Sequence, residues 1–406
     1  MQRKPKVGIL FRYGVVDHIE LYPIIPDCLQ ELGKKADVYY IGPNRQKISS
    51  QHRYPGVKYV WVPFTVSRSS FREKVLKALL WYLWLPWLSL YCRLQRFDVI
   101  WIDESSLPAQ AWIVQLLSGC PVAQTVTDFF VDIYKEQSRL LKLFSRLLDH
   151  LDRISWKRSA GIFTRTDELR NYLVDSGINC DVRTVRDAVL PDLFVPIDSF
   201  ALRRKLGFSE DDVVICHHGI LHPNKGIPWF IGQLGDFIPM HSELKILIVG
   251  DGPDAEAVRD VVRKHGMERQ VVMTGWLANH VEVNKYLCAA DIGLVMRLAA
   301  FHDHFHVTGA CIHCMMAQLP ILAANLRGVM EVVREGEEGF IFDPDDPATL
   351  RLQLEKMLES RERRLAMGER GRQKALLMFN PRQIASETAD LLLSWAELRR
   401  NPIPHS

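Results

Sequence analysis

Between Val213 and Pro347 the chain alternates short, wholly apolar runs with amphipathic stretches, and the runs end in glycine turns. VVICHHG opens the series and passes through ILHPNKG into a helical pattern, after which ILIVGDGP and DIGLVM repeat the theme. Apolar runs of this length separated by helices indicate a parallel sheet covered on both faces, because a strand with one wet face would alternate polar and apolar residues. In such sheets ligands sit at the carboxyl ends of the strands, where backbone amides and helix N-termini point at anions. A diphosphate suits that geometry.

A chain of 406 residues exceeds what one core usually organises, so two domains are expected. The first part offers the strand candidates KVGILF, ADVYYIG, KYVWVPF, DVIWID, PVAQTV and GIFTRT, and the theme repeats from about residue 195 to 380. The prolines of VLPDLFVPIDSF interrupt both periodicities and mark the joint. The expected division is a domain over 1–190, a second over 191–380, and a helix with a tail over 381–406 that packs back toward the first. Clefts between domains are preferred ligand sites. With 51 basic against 48 acidic residues no basic face dominates, which disfavours nucleic acid as a partner. The eight cysteines sit mostly in apolar runs without disulfide-like spacing, as in a reducing cytosol. The apolar run near the N-terminus is too short for a secretory signal, so export is not expected.

GILHPNKG, ILIVGDGP, KYLCAADIGLVM, HCMMAQLPILAA and GVMEVVREGEEGFIFDPDD together resemble the family 4 glycosyltransferases. RTDELRNYLVDSGI followed by VRDAVLPDLFVP is similar to that family's entry into its hinge. The resemblance covers nearly the whole chain and is most specific in the second half. It implies an α/β protein of the GT-B fold, with two Rossmann-like domains whose parallel sheets face each other across a cleft. It further implies transfer of a hexose from a nucleotide diphosphate sugar to a glycan or lipid-linked acceptor, with retention, in surface polysaccharide or glycolipid biosynthesis. The first domain would bind the acceptor and the second the donor, with no cofactor and no metal.

Several charged positions of that family are changed. Its paired glutamates, eight positions apart, align with Phe305 and His313. The arginine of its strand-loop signature falls at Ile220, while the lysine partner is kept as Lys225; its first-domain histidine falls at Thr127, with Asp128 retained. Two readings follow: an enzyme that rebuilt its site from other residues, or a non-catalytic relative that binds nucleotide sugar or glycan as a partner subunit.

Histidines favour the enzyme. FHDHFHVTGACIHC carries His302, His304, His306 and His313 beside Asp303, and His217, His218 and His222 lie on the strand-loop expected to face the phosphates. An imidazole near a diphosphate is favoured in its charged form, and preorganised positive groups stabilise a departing diphosphate. Lys225, Asp128, His304 and His306 are therefore the expected catalytic set. Gly14, His218, Gly219, His222, Gly250, Gly252, Arg297, Thr308, Gly309, His313 and Glu331 are expected to hold the donor. Each has a plainer reading: His217 as core, Gly250 and Gly252 as a tight turn, Arg297 as a strand-end cap, Glu331 as a surface carboxylate. Asp17 and His18, after Gly14, begin the first helix, where Asp17 serves equally as a cap. Cys311 and Cys314 stand as C-x-x-C among histidines, but no second such pair exists, so core packing outweighs zinc.

The first domain raises a membrane question. Ala78–Cys92, ALLWYLWLPWLSLYC, is uncharged and aromatic, and Pro86 interrupts it; at about fifteen residues it is short for a bilayer span. Lys74, Lys77, Arg93 and Arg96 flank it, and a basic amphipathic stretch runs over 138–159. Aromatic residues with flanking cations suit a headgroup region, so residues 78–92 and 138–159 read either as a peripheral contact on the inner face of the plasma membrane or as a buried helix with a solvated basic face. A dinucleotide-dependent dehydrogenase or epimerase is disfavoured by the missing G-x-G-x-x-G after the first strand.

Overall fold

The computed structural model describes residues 3–11, 24–43, 53–62, 71–102, 107–127, 129 and 139–400. The chain divides into two compact units, residues 1–188 with 381–406, and 189–380.

The first unit is built on strands β1 (Lys6–Leu10), β2 (Asp37–Pro43), β3 (Val57–Val62), β4 (Val99–Ile102), β5 (Val122–Thr125), β6 (Gly161–Thr164) and β7 (Asp181–Thr184), in the order β3-β2-β1-β4-β5-β6-β7. All neighbours pair in parallel. Six of these strands coincide with apolar runs. DVRT, the seventh, has no such run and becomes a strand because β6 offers it an open edge. Helices α1 (Ile24–Lys35), α2 (Phe71–Gln95), α3 (Gln110–Ser118), α4 (Arg139–Arg158) and α5 (Asp167–Asp175) connect the strands. The last helix, Pro381–Arg400, belongs to this unit too: Trp395 packs on Phe163 at 4.7 Å between ring centroids, and its indole nitrogen donates to Asp181 at 2.9 Å. Burial of large rings accounts for the strength of such a core, at about 25 cal/mol per Å² of apolar surface removed from water.

The second unit holds β8 (Val213–His218), β9 (Leu244–Val249), β10 (Val271–Met273), β11 (Ile292–Val295), β12 (Ile321–Ala324) and β13 (Gly339–Phe342), again parallel, in the order β10-β9-β8-β11-β12-β13. Helices α6 (Ile227–Gln233), α7 (Ala255–Lys264), α8 (His280–Cys288), α9 (Gly309–Met316), α10 (Pro347–Leu358) and α11 (Arg361–Met378) complete it, with shorter turns between. The strand order reverses direction at β8 and β11. At such a switch point the connections leave to opposite faces and open a crevice beyond the carboxyl ends of the two strands.

Candidate active site

That crevice is floored by glycine. Gly219, directly after β8, and Gly250 and Gly252, after β9, have φ of 130, 141 and 157°. A Cβ on Gly250 would lie on the Gly219 carbonyl oxygen, and one on Gly252 on that of Leu221, so these turns pack backbone against backbone. Leu221 N donates to the Asp251 carbonyl at 2.9 Å and locks the two loops together.

Lys225 ends a single 3-10 turn, Pro223–Lys225, and the neighbouring Asn224 carbonyl accepts from Leu298 N at 3.1 Å, tying this turn to the loop after β11. Burial, with the Arg297 charge behind it, pushes the Lys225 ammonium down from 10.5 to about 7, and Asp303 offsets only part of this. The resulting lysine gains most from a phosphate, whose charge restores its proton. Arg297 donates to Asp303 Oδ1 at 2.6 Å, while its Nε is buried without a partner. Asp303 is 0% exposed and also accepts from Ala300 N at 3.2 Å, so the turn Phe301–Phe305 is organised around this one carboxylate. The plainer strand-cap reading of Arg297 is therefore too simple, since the guanidinium is held by a buried acid.

The histidines depart from expectation. His218 Nε2 and His313 Nδ1 lie 3.1 Å apart, His313 stacks on Phe194 at 4.0 Å, and His280 lies 5.4 Å from His313. Burial, then the neighbouring His280, holds His218 at about 4, and burial with His218 and His280 holds His313 well below 6.5. Neither imidazole supplies the positive charge expected of it: two rings sharing one buried hydrogen bond cannot both take protons. His217 is 3% exposed, and neither ring nitrogen makes a hydrogen bond of good geometry. Burial and the Lys225 charge press it to about 3, with only the Leu294 backbone opposing, so it is a neutral core residue.

The remaining expected residues scatter. His222 is exposed and meets Asn224 Oδ1 at 3.1 Å. His304 Nδ1 accepts from Arg327 N at 3.4 Å, and His306 is half-buried just beyond the same turn. Thr308 caps α9, its hydroxyl accepting from Cys311 N at 3.3 Å, and Gly309 begins that helix. Glu331 closes the short turn Arg327–Met330. Gly14, Asp17, His18 and Asp128 lie outside the described residues. Cys311 and Cys314 are buried in the core; burial pushes the Cys311 thiol up to about 12 and raises that of Cys314 well above its ordinary value. Among the described residues no group of three or more potential ligands is placed to hold a metal ion. Sequence reasoning missed Asp303 as the anchor of Arg297, and missed Phe194 and His280 around His313. FHDHF carried a signal for the first, since an acid amid histidines after a strand requires a partner; nothing in the sequence linked Phe194 to His313.

Two parallel α/β units of this kind define the GT-B class, and the comparison with solved structures agrees. HepE from Anabaena, solved in complex with UDP, superimposes with a TM-score of 0.72 at 17% identity, covering 96% of this chain and 100% of that one. Residues 198–374, within the second unit, match the model of the glycosyl transferases group 1. The 2-deoxystreptamine glucosyltransferase of Streptomyces kanamyceticus is 24% identical over 264 residues, 62% of this chain and 67% of the relative. The N-acetyl-alpha-D-glucosaminyl L-malate synthase of Bacillus anthracis is 23% identical over 209 residues, 52% of each. The match thus spans about half the length of that second curated relative.

Proposed function

We propose that the protein transfers a hexose from a nucleotide diphosphate sugar to a glycan or lipid-linked acceptor. The observation that carries this reading is Lys225, half-buried and pushed down to about 7 beside Arg297 and the glycine turns, at the switch point of the second sheet. A departing nucleoside diphosphate develops negative charge there, and Lys225 with the amides about Gly219, Gly250, Thr308 and Gly309 receives it. The bond from the anomeric carbon to the diphosphate oxygen breaks, the acceptor oxygen bonds to that carbon on the same face, and the acceptor proton passes to the leaving phosphate or to Asp128. His304 and His306, on the loop between β11 and α9, orient the sugar in this reading. HepE, solved with UDP, lends support to the donor class.

A panel of nucleotide sugars tested for release of nucleoside diphosphate, on the wild type and on Lys225→Ala, decides the reading. Release from one donor, reduced at least a hundredfold in the variant, is expected. One observation favours the binding alternative: Phe305 is buried and His313 neutral where the resemblance places carboxylates. Stabilisation by a donor with no release, acceptors included, would establish that alternative.

The lipid-linked acceptor rests on α2. Leu76, Leu80, Leu83, Trp87, Leu90 and Leu94 form an exposed stripe along one side, with Leu83 78% exposed, while Trp81, Leu85, Leu88 and Cys92 face the core. A helix apolar on both sides has a second apolar neighbour. Exposed Leu143, Phe144 and Leu147 on α4 stand beside Lys142 and Arg146, which suits an anionic membrane surface at the cytoplasmic face. Among the described residues no helix is long and apolar enough to cross a membrane. Flotation with anionic vesicles is expected to retain the wild type and release Leu83→Glu/Leu90→Glu; equal flotation of both would refute the contact.

A further inference from the structure

At the opposite end of the second sheet lies a cavity of 220 Å³ that none of the chemistry above uses. Asp291 and Pro320, which line it, immediately precede β11 and β12, so it opens at the amino edge of the strands. Pro196, Ile197, Leu319 and Leu365 give it apolar walls. Two arginines, Arg361 and Arg364, enter it from the first turn of α11.

Arg364 is the unusual residue. It is 7% exposed, yet its one hydrogen bond runs from Nη1 to the Met357 carbonyl at 2.7 Å, and no carboxylate lies within ion-pair distance. A guanidinium carries five donors. The nearest acid is Asp291, whose charge reaches Arg364 but whose Oδ2 is already taken by Arg203 at 2.8 Å and by Val214 N at 2.9 Å. Burial accordingly holds the Arg364 guanidinium below its ordinary value. A buried cation without a counter-ion costs several kcal/mol, and proteins rarely keep one without a compensating anion. Arg361 is exposed and makes no hydrogen bond, and the neighbouring Glu362 carboxylate is occupied by the Ser360 hydroxyl at 2.9 Å. The amino end of α11, an 18-residue helix, adds a positive potential.

We propose that this cavity binds a small phosphate-bearing metabolite, held by Arg364 and Arg361. Two guanidiniums match one phosphate dianion, whereas a carboxylate would leave one of them unmatched. The volume equals about seven waters at roughly 30 Å³ each, enough for a phosphate on a short carbon chain. The occupant touches Ala317 to Pro320, just beyond the carboxyl end of α9, and the amino end of α9 is the Thr308 cap of the donor loop. Eight residues, about 12 Å of helix, separate the two sites.

The test is isothermal titration of the full chain with glycerol phosphate, inorganic phosphate and acetate at constant ionic strength, in a Lys225→Ala background that removes the phosphate grip of the other site. Saturable binding of both phosphates is expected, weakened at least tenfold by Arg361→Glu and by Arg364→Met. Arg361→Glu alters an exposed, unbonded side chain, so it remains informative should Arg364→Met fold poorly. No saturable phosphate binding, or unchanged affinity in Arg361→Glu, overturns the site; acetate binding as tightly as phosphate overturns the ligand class. Since binding is the readout, loss of the transferase reading leaves this result standing.

Discussion

Arg297, 15% exposed, and Arg364, 7% exposed, are two guanidiniums in one unit, at opposite ends of the same sheet, and they are solved differently. Arg297 has a carboxylate at 2.6 Å that is itself fully buried; Arg364 has a single carbonyl and a cavity. The first end of the sheet is completed by the protein, so its electrostatics are fixed before any ligand arrives. At the amino edge Arg364 has no ion-pair partner among the described residues. Preorganisation of the first kind serves catalysis, where reorienting dipoles during the reaction would cost rate. An uncompensated charge serves recognition, because the ligand supplies what the fold omits.

The largest expected effect comes from destroying the completed end. Asp303→Asn removes the fully buried counter-charge of the half-buried Arg297 and should cost about 3 kcal/mol in urea unfolding. A cost below about 1 kcal/mol would show that Arg297 is no better compensated than Arg364. Next, Gly250→Ala forces a Cβ onto the Gly219 carbonyl oxygen and should cost about 1 to 3 kcal/mol by the same measurement. Gly266→Ala, at φ 65° with nothing nearby, should cost about 1 kcal/mol for backbone strain alone. Lys225 gives the third contrast, through pH. Its folded value of about 7 lies below the unfolded 10.5, so between these the unfolded chain holds the extra proton and stability rises with pH. The slope is at most about 1.4 kcal/mol per pH unit, and Lys225→Met should abolish it. Affinity for a nucleoside diphosphate should run the other way, falling up to about tenfold per unit above pH 7 in the wild type only. The smallest effect belongs to the amino edge: Arg364→Met, measured without phosphate, should change stability by no more than about 1 kcal/mol, since a carbonyl bond is exchanged for relief of an unpaired charge. A loss above about 3 kcal/mol would mean that Arg364 is compensated after all.

The strands were legible because burial on both faces writes itself as continuous apolar runs. KVGILF, DVIWID, VVICHH and DIGLV contain β1, β4, β8 and β11, and ILIV is the core of β9. DVRT was not, because an edge strand takes its hydrogen bonds from β6 rather than from its own composition. At the site, the glycines and Lys225 could be placed from local turns. The protonation of His218 and His313 could not, since it depends on Phe194, His280 and the depth of burial, groups far apart in the chain. A histidine read in isolation is a candidate cation; packed against another histidine away from water it is a neutral ring.

The sequence by itself determined the parallel α/β architecture, the glycine turns at the strand ends and the match of the second unit to the glycosyl transferases group 1, because each is encoded in residues adjacent along the chain. Tertiary structure alone decided which charges exist. Desolvation and the distance between ionisable groups are set by what the fold brings together. They leave Lys225 near neutrality and discharge His218 and His313, and they give Arg297 a partner and deny one to Arg364.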